Sequence, residues 1–187
     1  MFDFSYFPTL TTERLVLREL APTDDEAVFL FWSDPEVQKY NAEPIQHVTQ
    51  ARALIEEWRA EHAAQTHIYW AVVLTESNTV VGLIDFHRWN RHHHKAEIGY
   101  GLARSHWGQG IASEALNAML SFGFQQMELH RIEANTIADN FRSVRMLERL
   151  GFQREGTRRE SSWEDDGTYH NSALYGLLRR EYEARLL

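Results

Sequence analysis

The chain has no cysteine, few prolines and no long apolar run, and each absence removes a class of protein. Without a single Cys in 187 residues it has no disulfide framework, no thiolate metal site and no cysteine nucleophile. Four prolines and ten glycines are too few for a fibrous or low-complexity chain. No apolar stretch approaches membrane-spanning length, and Met1-Phe2-Asp3-Phe4 lacks the basic region of a signal peptide. A cytoplasmic protein with no membrane partner is therefore expected. Positive charge is also short, with 19 Lys and Arg against 27 Asp and Glu and a formal net charge of −8. That argues against a general nucleic-acid binder and is compatible with a cationic substrate. What remains is an ordinary globular balance, 43 % hydrophobic and 25 % charged. Its length predicts one domain over residues 1–187.

The hydrophobic spacing switches between two periods along the chain. Glu13 to Leu20 alternates apolar and charged residues, as a half-buried strand does. Pro22-Thr23-Asp24-Asp25-Glu26 opens a helix carrying Ala27, Val28, Leu30 and Phe31. Thr49 is placed to cap a second helix to about His62, with Ala53, Leu54, Trp58 and Ala51 on its inner side. Strands follow at 67–74 and 80–86 around a Glu76–Thr79 turn, and a third at 95–102 after a polar loop. A helix with Ala112, Ala115, Leu116, Met119 and Leu120 on one face comes next, then a strand at 131–137. A helix from about Asn140 to Leu150 ends at Gly151, a left-handed cap position. Strands at 152–163 and 171–178 close the chain around Asp165-Asp166-Gly167. The order predicts an α+β fold.

Two features suggest chemistry. Trp107-Gly108-Gln109-Gly110 runs from a strand into a helix start, where uncovered backbone N–H groups and the helix dipole suit a pyrophosphate. The strand before it carries Gly99 and Gly101 on one face, a pattern that marks a bulge or a close approach by a ligand or another backbone. Amides beside a strand and phosphates on a helix start are the layout of coenzyme A; a nucleotide has the phosphates without the amides. Glu97 begins the strand. It is either a general base for a protonated amine or an edge charge pairing with Lys95 or Arg131. Asp85 and Glu160 are the other carboxylates expected near the cleft. His92-His93-His94 occupies consecutive positions in a polar loop and cannot turn all three rings to one ion, so no metal is expected.

Glu97-Ile98-Gly99-Tyr100, Trp107-Gly108-Gln109-Gly110-Ile111-Ala112, and Asn140-Phe141-Arg142-Ser143 running to Leu150-Gly151-Phe152 together resemble the GNAT acetyltransferases. More narrowly they resemble the RimJ/RimL type, which acetylates N-terminal amines of ribosomal proteins, and the opening Glu13–Arg18 and the closing Asp166-Gly167 to Tyr175-Gly176-Leu177-Leu178 fit the same type. This resemblance covers nearly the whole chain in order. It implies a mixed sheet of about seven strands flanked by helices, with a splayed strand pair holding acetyl-CoA. The family's pyrophosphate signature is Gln or Arg, two residues, Gly, one residue, then Gly or Ala. Gly110 and Ala112 take the small positions, but Trp107 stands where Gln or Arg is usual, which leaves the backbone amides of Gln109, Gly110, Ile111, Ala112 and Ser113 as the main donors.

The likeness further implies that Asn140 holds the pantetheine arm while also capping its helix. Ser143 would hydrogen-bond the departing thiolate, and a backbone N–H among Tyr100, Gly101 and Leu102 would meet the tetrahedral oxyanion. The expected reaction is direct attack by a primary amine, either a protein or peptide N-terminus or a small amine such as a polyamine, an amino acid or an amine antibiotic. A non-catalytic acyl-CoA-binding module is the reading from another class. Trp32, Tyr40 and Trp89 are candidates for an acceptor pocket, and Trp58, Trp70 and Trp163 for core or cleft wall. A homodimer is compatible with this type.

Overall fold

The computed structural model describes residues 6–164 and 166–186. Its strands are β1 (Leu10–Thr11), β2 (Leu15–Glu19), β3 (Ile68–Leu74), β4 (Thr79–Asn90), β5 (Lys95–Leu102), β6 (Arg131–Ile137), β7 (Gln153–Trp163) and β8 (Tyr169–Leu178). The helices are α1 (Asp25–Trp32), the one-turn α2 (Pro35–Gln38), α3 (Val48–Ala63), α4 (Ile111–Gln125), α5 (Phe141–Arg149) and α6 (Arg179–Ala184). All eight strands form one mixed sheet in the order β1-β2-β3-β4-β5-β6-β8-β7, with β5 and β6 parallel. The eighth strand is the two-residue β1, whose Leu10 pairs with Leu17. Met1-Phe2-Asp3-Phe4 and Asp165 lie outside the described residues.

Each face of the sheet has its own core. On one side Trp70, Val72, Ile84, Phe86, Ile98 and Ile132 meet Ala115, Leu116, Met119 and Leu120 of α4 and Leu147 of α5. This is the face the 3.6-residue spacing of α4 anticipates. On the other side Ala71, Val73 and Leu83 meet Val28 and Phe31 of α1 and Ala51, Ile55 and Trp58 of α3. Fully burying a side chain of this size stabilises by about 1.5–3 kcal/mol, so these layers hold the sheet flat against its helices. Trp70 is completely buried, with its indole N–H donating to the Pro8 carbonyl at 2.7 Å.

Several local expectations are corrected. The inner stripe of α3 is Ala51, Ile55, Trp58 and His62, while Ala53 faces water and Leu54 is half-buried. The helix starts one residue before Thr49, and its entry is satisfied by Gln50, whose Oε1 accepts the backbone N–H groups of Gln46 and His47 at 2.8 and 3.0 Å. Leu30 is 73 % exposed, and Trp163 is 62 % exposed against Tyr169 instead of lining a core or cleft. Gly151 does take the left-handed conformation, φ +88°.

One feature of the sheet positions the site. β5 and β6 pair only at Lys95↔Arg131, Ala96↔Ile132 and Glu97↔Glu133. Beyond Glu97, β5 stays with β4 through Leu102, and β6 stays with β8 through Ile137. The two parallel strands therefore part, leaving the β6-facing edge of Ile98–Leu102 without a strand partner.

Candidate active site

The glycine turn closes one end of this opening. Gly108 and Gly110 have φ of +76° and +79°, a region that costs other L-residues roughly 1–2 kcal/mol. Gly110 is the N-cap of α4, and the first i→i−4 bond of the helix runs from the Glu114 N–H to the Gly110 carbonyl at 3.0 Å. The N–H groups of Ile111, Ala112 and Ser113 thus head a 15-residue helix with no acceptor in a preceding turn. Ile111 is buried and anchors the turn to the core, while Gln109 and Gly110 are exposed. Arg14 braces the turn from outside: its Nη1 donates to the Gln109 carbonyl at 3.0 Å, and its Nε to Glu114 at 2.7 Å. Burial works to raise the Glu114 carboxyl, but hydrogen bonds from Thr12 and Arg14 outweigh it and hold the group below its ordinary value. Trp107 donates its indole N–H to the Leu102 carbonyl at 2.9 Å and carries the Arg142 guanidinium 3.7 Å above its ring.

Across the opening, Asn140 and Ser143 start α5. The Asn140 Oδ1 accepts the Ser143 N–H at 3.2 Å, so Asn140 caps the helix as expected. Its Nδ2 has no protein partner among the described residues. The Tyr100 side chain spans the gap from β5, and its hydroxyl lies 2.7 Å from the Ser143 Oγ. Burial pushes the Tyr100 phenol up to about 12, which keeps it a neutral O–H at ordinary pH. Gly101 faces open space, since a Cβ built there would meet nothing within 4 Å.

The opposite face holds a chain of charged groups in which His87 and Arg88 join the expected carboxylates Asp85 and Glu97. His87 sits on β4 directly across from Glu97 on β5, and Asp85 sits across from Gly99. The Nδ1 of His87 is 2.6 Å from the Asp85 carboxylate, and its Nε2 is 3.7 Å from Glu97. A bulge follows His87, and Arg88 adopts φ +50°, which turns its Nη1 back to Glu97 at 2.9 Å. Burial works to lower the His87 imidazole, yet the bond to Asp85 and the Glu97 charge carry it up to about 9. Glu97 is held below its ordinary value, chiefly by His87 against the opposing effect of burial, with Arg88 adding to it. His87 is thus imidazolium and Glu97 carboxylate at neutral pH.

The chain matches the acetyltransferase (GNAT) domain family over residues 14–153. It belongs to the GNAT acetyltransferases. The uncharacterized N-acetyltransferase p20 of Bacillus licheniformis is 37 % identical over 175 residues, 93 % of this chain and 98 % of that protein. The crystal structure of a GNAT-family acetyltransferase from Bacillus anthracis superposes with a TM-score of 0.82 at 31 % identity, covering 93 % of this chain and 100 % of that one. The [Ribosomal protein uS5]-alanine N-acetyltransferase of Escherichia coli is 28 % identical over 156 residues, 79 % of each chain. The protein is therefore an acetyl-CoA-dependent N-acetyltransferase with ribosomal-protein acetyltransferases among its relatives.

The acetyltransferase fold brings most of the sequence-predicted residues to one opening. Tyr100, Gly101 and Leu102 form one edge, Gln109 to Ser113 one end, and Asn140 with Ser143 the other edge. Glu97 marks the point of divergence. Its partners are Arg88 and His87, not the expected Lys95 or Arg131, which bind Glu133 instead. Gly99 also has a different purpose: a Cβ there would come 2.3 Å from the Asp85 Oδ1, so its missing side chain admits that carboxylate. Glu160 lies exposed in a bulge of the edge strand β7 at φ +50°, three strands from β5, whereas Asp85 reaches Glu97 through His87. The three consecutive histidines form an exposed turn. Trp32 packs on Trp58 at 5.3 Å between ring centroids, while Lys39 lies over Tyr40 and Arg91 over Trp89. His87 lies beyond the strand expected at 80–86, whereas β4 runs on to Asn90. Carrying the period of two one step further puts Asp85 and His87 on the same face.

Proposed function

We propose that this acetyltransferase acts on the N-terminal α-amine of a protein or peptide by direct attack in a ternary complex. The observation that carries the reading is the parting of β5 from β6 immediately after Glu97. It exposes strand-edge backbone to an amide-bearing arm, ends at a helix start suited to pyrophosphate, and places a carboxylate at the point of divergence. The donor suits this slot because the backbone edge of Ile98–Leu102 has no strand beside it and the Asn140 cap of α5 stands across the opening.

Each residue has a definite task in this scheme. Glu97 takes the proton from the acceptor ammonium, the freed amine attacks the thioester carbon, and the C–S bond breaks as the proton left on the acylated nitrogen passes to the departing coenzyme A sulfur. A backbone N–H between Tyr100 and Leu102 meets the oxyanion. Ser143, hydrogen-bonded to Tyr100, donates to the departing sulfur. An α-amine has a pKa of about 7.7–8.0 against about 10.4 for a lysine, so a carboxylate held below its ordinary value suits the former. The uS5-alanine acetyltransferase among the relatives supports the same acceptor and a cytoplasmic setting.

The test is thiol release from acetyl-CoA with peptides bearing free N-terminal amines, N-blocked lysine peptides and polyamines, with Glu97→Gln and Ser143→Ala as controls. Preference for free N-termini supports the reading. Preference for a polyamine moves the acceptor to small cations. Tight acetyl-CoA binding without turnover on any amine replaces it with an acyl-CoA-binding module.

A further inference from the structure

The geometry points to His87, braced by Asp85, as a positioning residue that fixes the Glu97 carboxylate at the mouth of the strand opening. The inference rests on the reading of Glu97 as proton acceptor. Glu97 is the last β5 residue paired with β6, so its carboxylate stands where the two strands part. Two groups hold it there, the imidazole Nε2 at 3.7 Å and the Arg88 Nη1 at 2.9 Å. The Arg88 side chain is 68 % exposed and that of His87 is 24 % exposed, so the histidine contact is the less screened of the two.

The histidine is itself anchored. Asp85 holds its Nδ1 at 2.6 Å, and the space over Gly99 accommodates that carboxylate. Its ring stacks at 6.2 Å on His67, which stacks on Tyr69 and lies 3.7 Å from Glu61 of α3. The groups facing His87 are therefore Asp85 of β4, Glu97 of β5 with its partner Arg88, and His67 ahead of β3. Tyr69, Glu61 and Glu57 lie one layer further out. Anions on both sides of the ring favour imidazolium, which in turn favours the ionised form of Glu97. The mutual dependence gives the arrangement a measurable signature.

The full-length protein without substrate is titrated by NMR at the His87 ring carbons, and kcat/KM is measured against pH for acetyl-CoA and a peptide amine. In the wild type His87 titrates near 9, and both Asp85→Asn and Glu97→Gln lower that midpoint. In His87→Gln the acid limb of kcat/KM moves up by about one pH unit, a loss of about tenfold on that limb. The KM for acetyl-CoA stays unchanged, and Arg88→Ala moves the limb less. A His87 midpoint near 6.5 that ignores both carboxylate substitutions overturns the inference, as does a His87→Gln profile that overlays the wild type. The NMR readings need no turnover. If no amine is acetylated, the proposed function fails while the midpoint still decides the coupling, and the two carboxylate variants decide it should His87→Gln not fold.

Discussion

On the α4 side of the opening between β5 and β6, the groups available to a ligand are mostly main-chain donors; on the α3 side they are side-chain charges bound to one another. The first region is rigid because two glycines in left-handed conformations set the turn and Arg14 ties it to Glu114. The second is rigid because Asp85, His87, Glu97 and Arg88 neutralise each other in a partly buried row. A helix start suits phosphate whatever side chains surround it, so the proposed pyrophosphate contact does not depend on a Gln or Arg at Trp107. A proton acceptor needs a particular group in a particular ionisation state, and only side-chain partners supply that.

The sharpest break of this contrast is Glu97→Gln. It should reduce kcat/KM by about 10²–10⁴-fold while acetyl-CoA affinity, measured by calorimetry, stays at the wild-type value. An equal loss of affinity would mean that the two sides are not separable. Next in size is Gly99→Ala, whose Cβ would stand 2.3 Å from the Asp85 Oδ1. We expect roughly 1–3 kcal/mol of destabilisation in denaturant melts, together with a fall in turnover as Asp85 leaves His87. A variant with wild-type stability and activity would show that Asp85 has another place to go.

On the opposite side, Gly110→Ala places a Cβ on a residue at φ +79°, a cost of about 1–2 kcal/mol. Acetyl-CoA binding should weaken by up to roughly tenfold, with the KM of the amine unmoved. The last test concerns pH. The His87 pKa is raised from 6.5 to about 9, so its contribution to stability is complete below about pH 6.5 and is lost as pH rises through 9. Thermal melts should show the gap between wild type and His87→Gln widest near pH 6 and closed above 9. A gap that widens with pH would reverse the sign and remove the charge interaction as its cause.

The α4 side is the more legible of the two from residue order alone. Paired glycines before an amphipathic run, and an Asn three residues before a Ser at a helix start, are local signals, because turn geometry and capping depend on neighbours in sequence. The inner stripe of α4 was equally plain from its spacing. The stripe of α3 was harder to read, since Ala53 and Leu54 are as apolar as Ala51 and Ile55 and only docking on β3 and β4 selects between them. Gly99 signals a bulge or a close approach by a ligand or another backbone, but sequence shows only that a side chain is missing, not that the Asp85 carboxylate fills the space. The partners of Glu97 are illegible for the same reason. Lys95 and Arg131 are near it in sequence or in expected pairing, yet the left-handed bulge at Arg88 delivers a different cation.

The sequence by itself determined the class of element at each stretch, the helix-start turn from Trp107 to Ser113, and membership of a family that uses acetyl-CoA. These follow from periodicity, backbone preference and motif order, all properties of short segments. Tertiary structure alone decided that β5 and β6 part after Glu97, that Tyr100 reaches Ser143, and that Asp85 and Glu97 face each other through His87. Those facts depend on strand register, and register is set by the packing of two cores on opposite faces of the sheet.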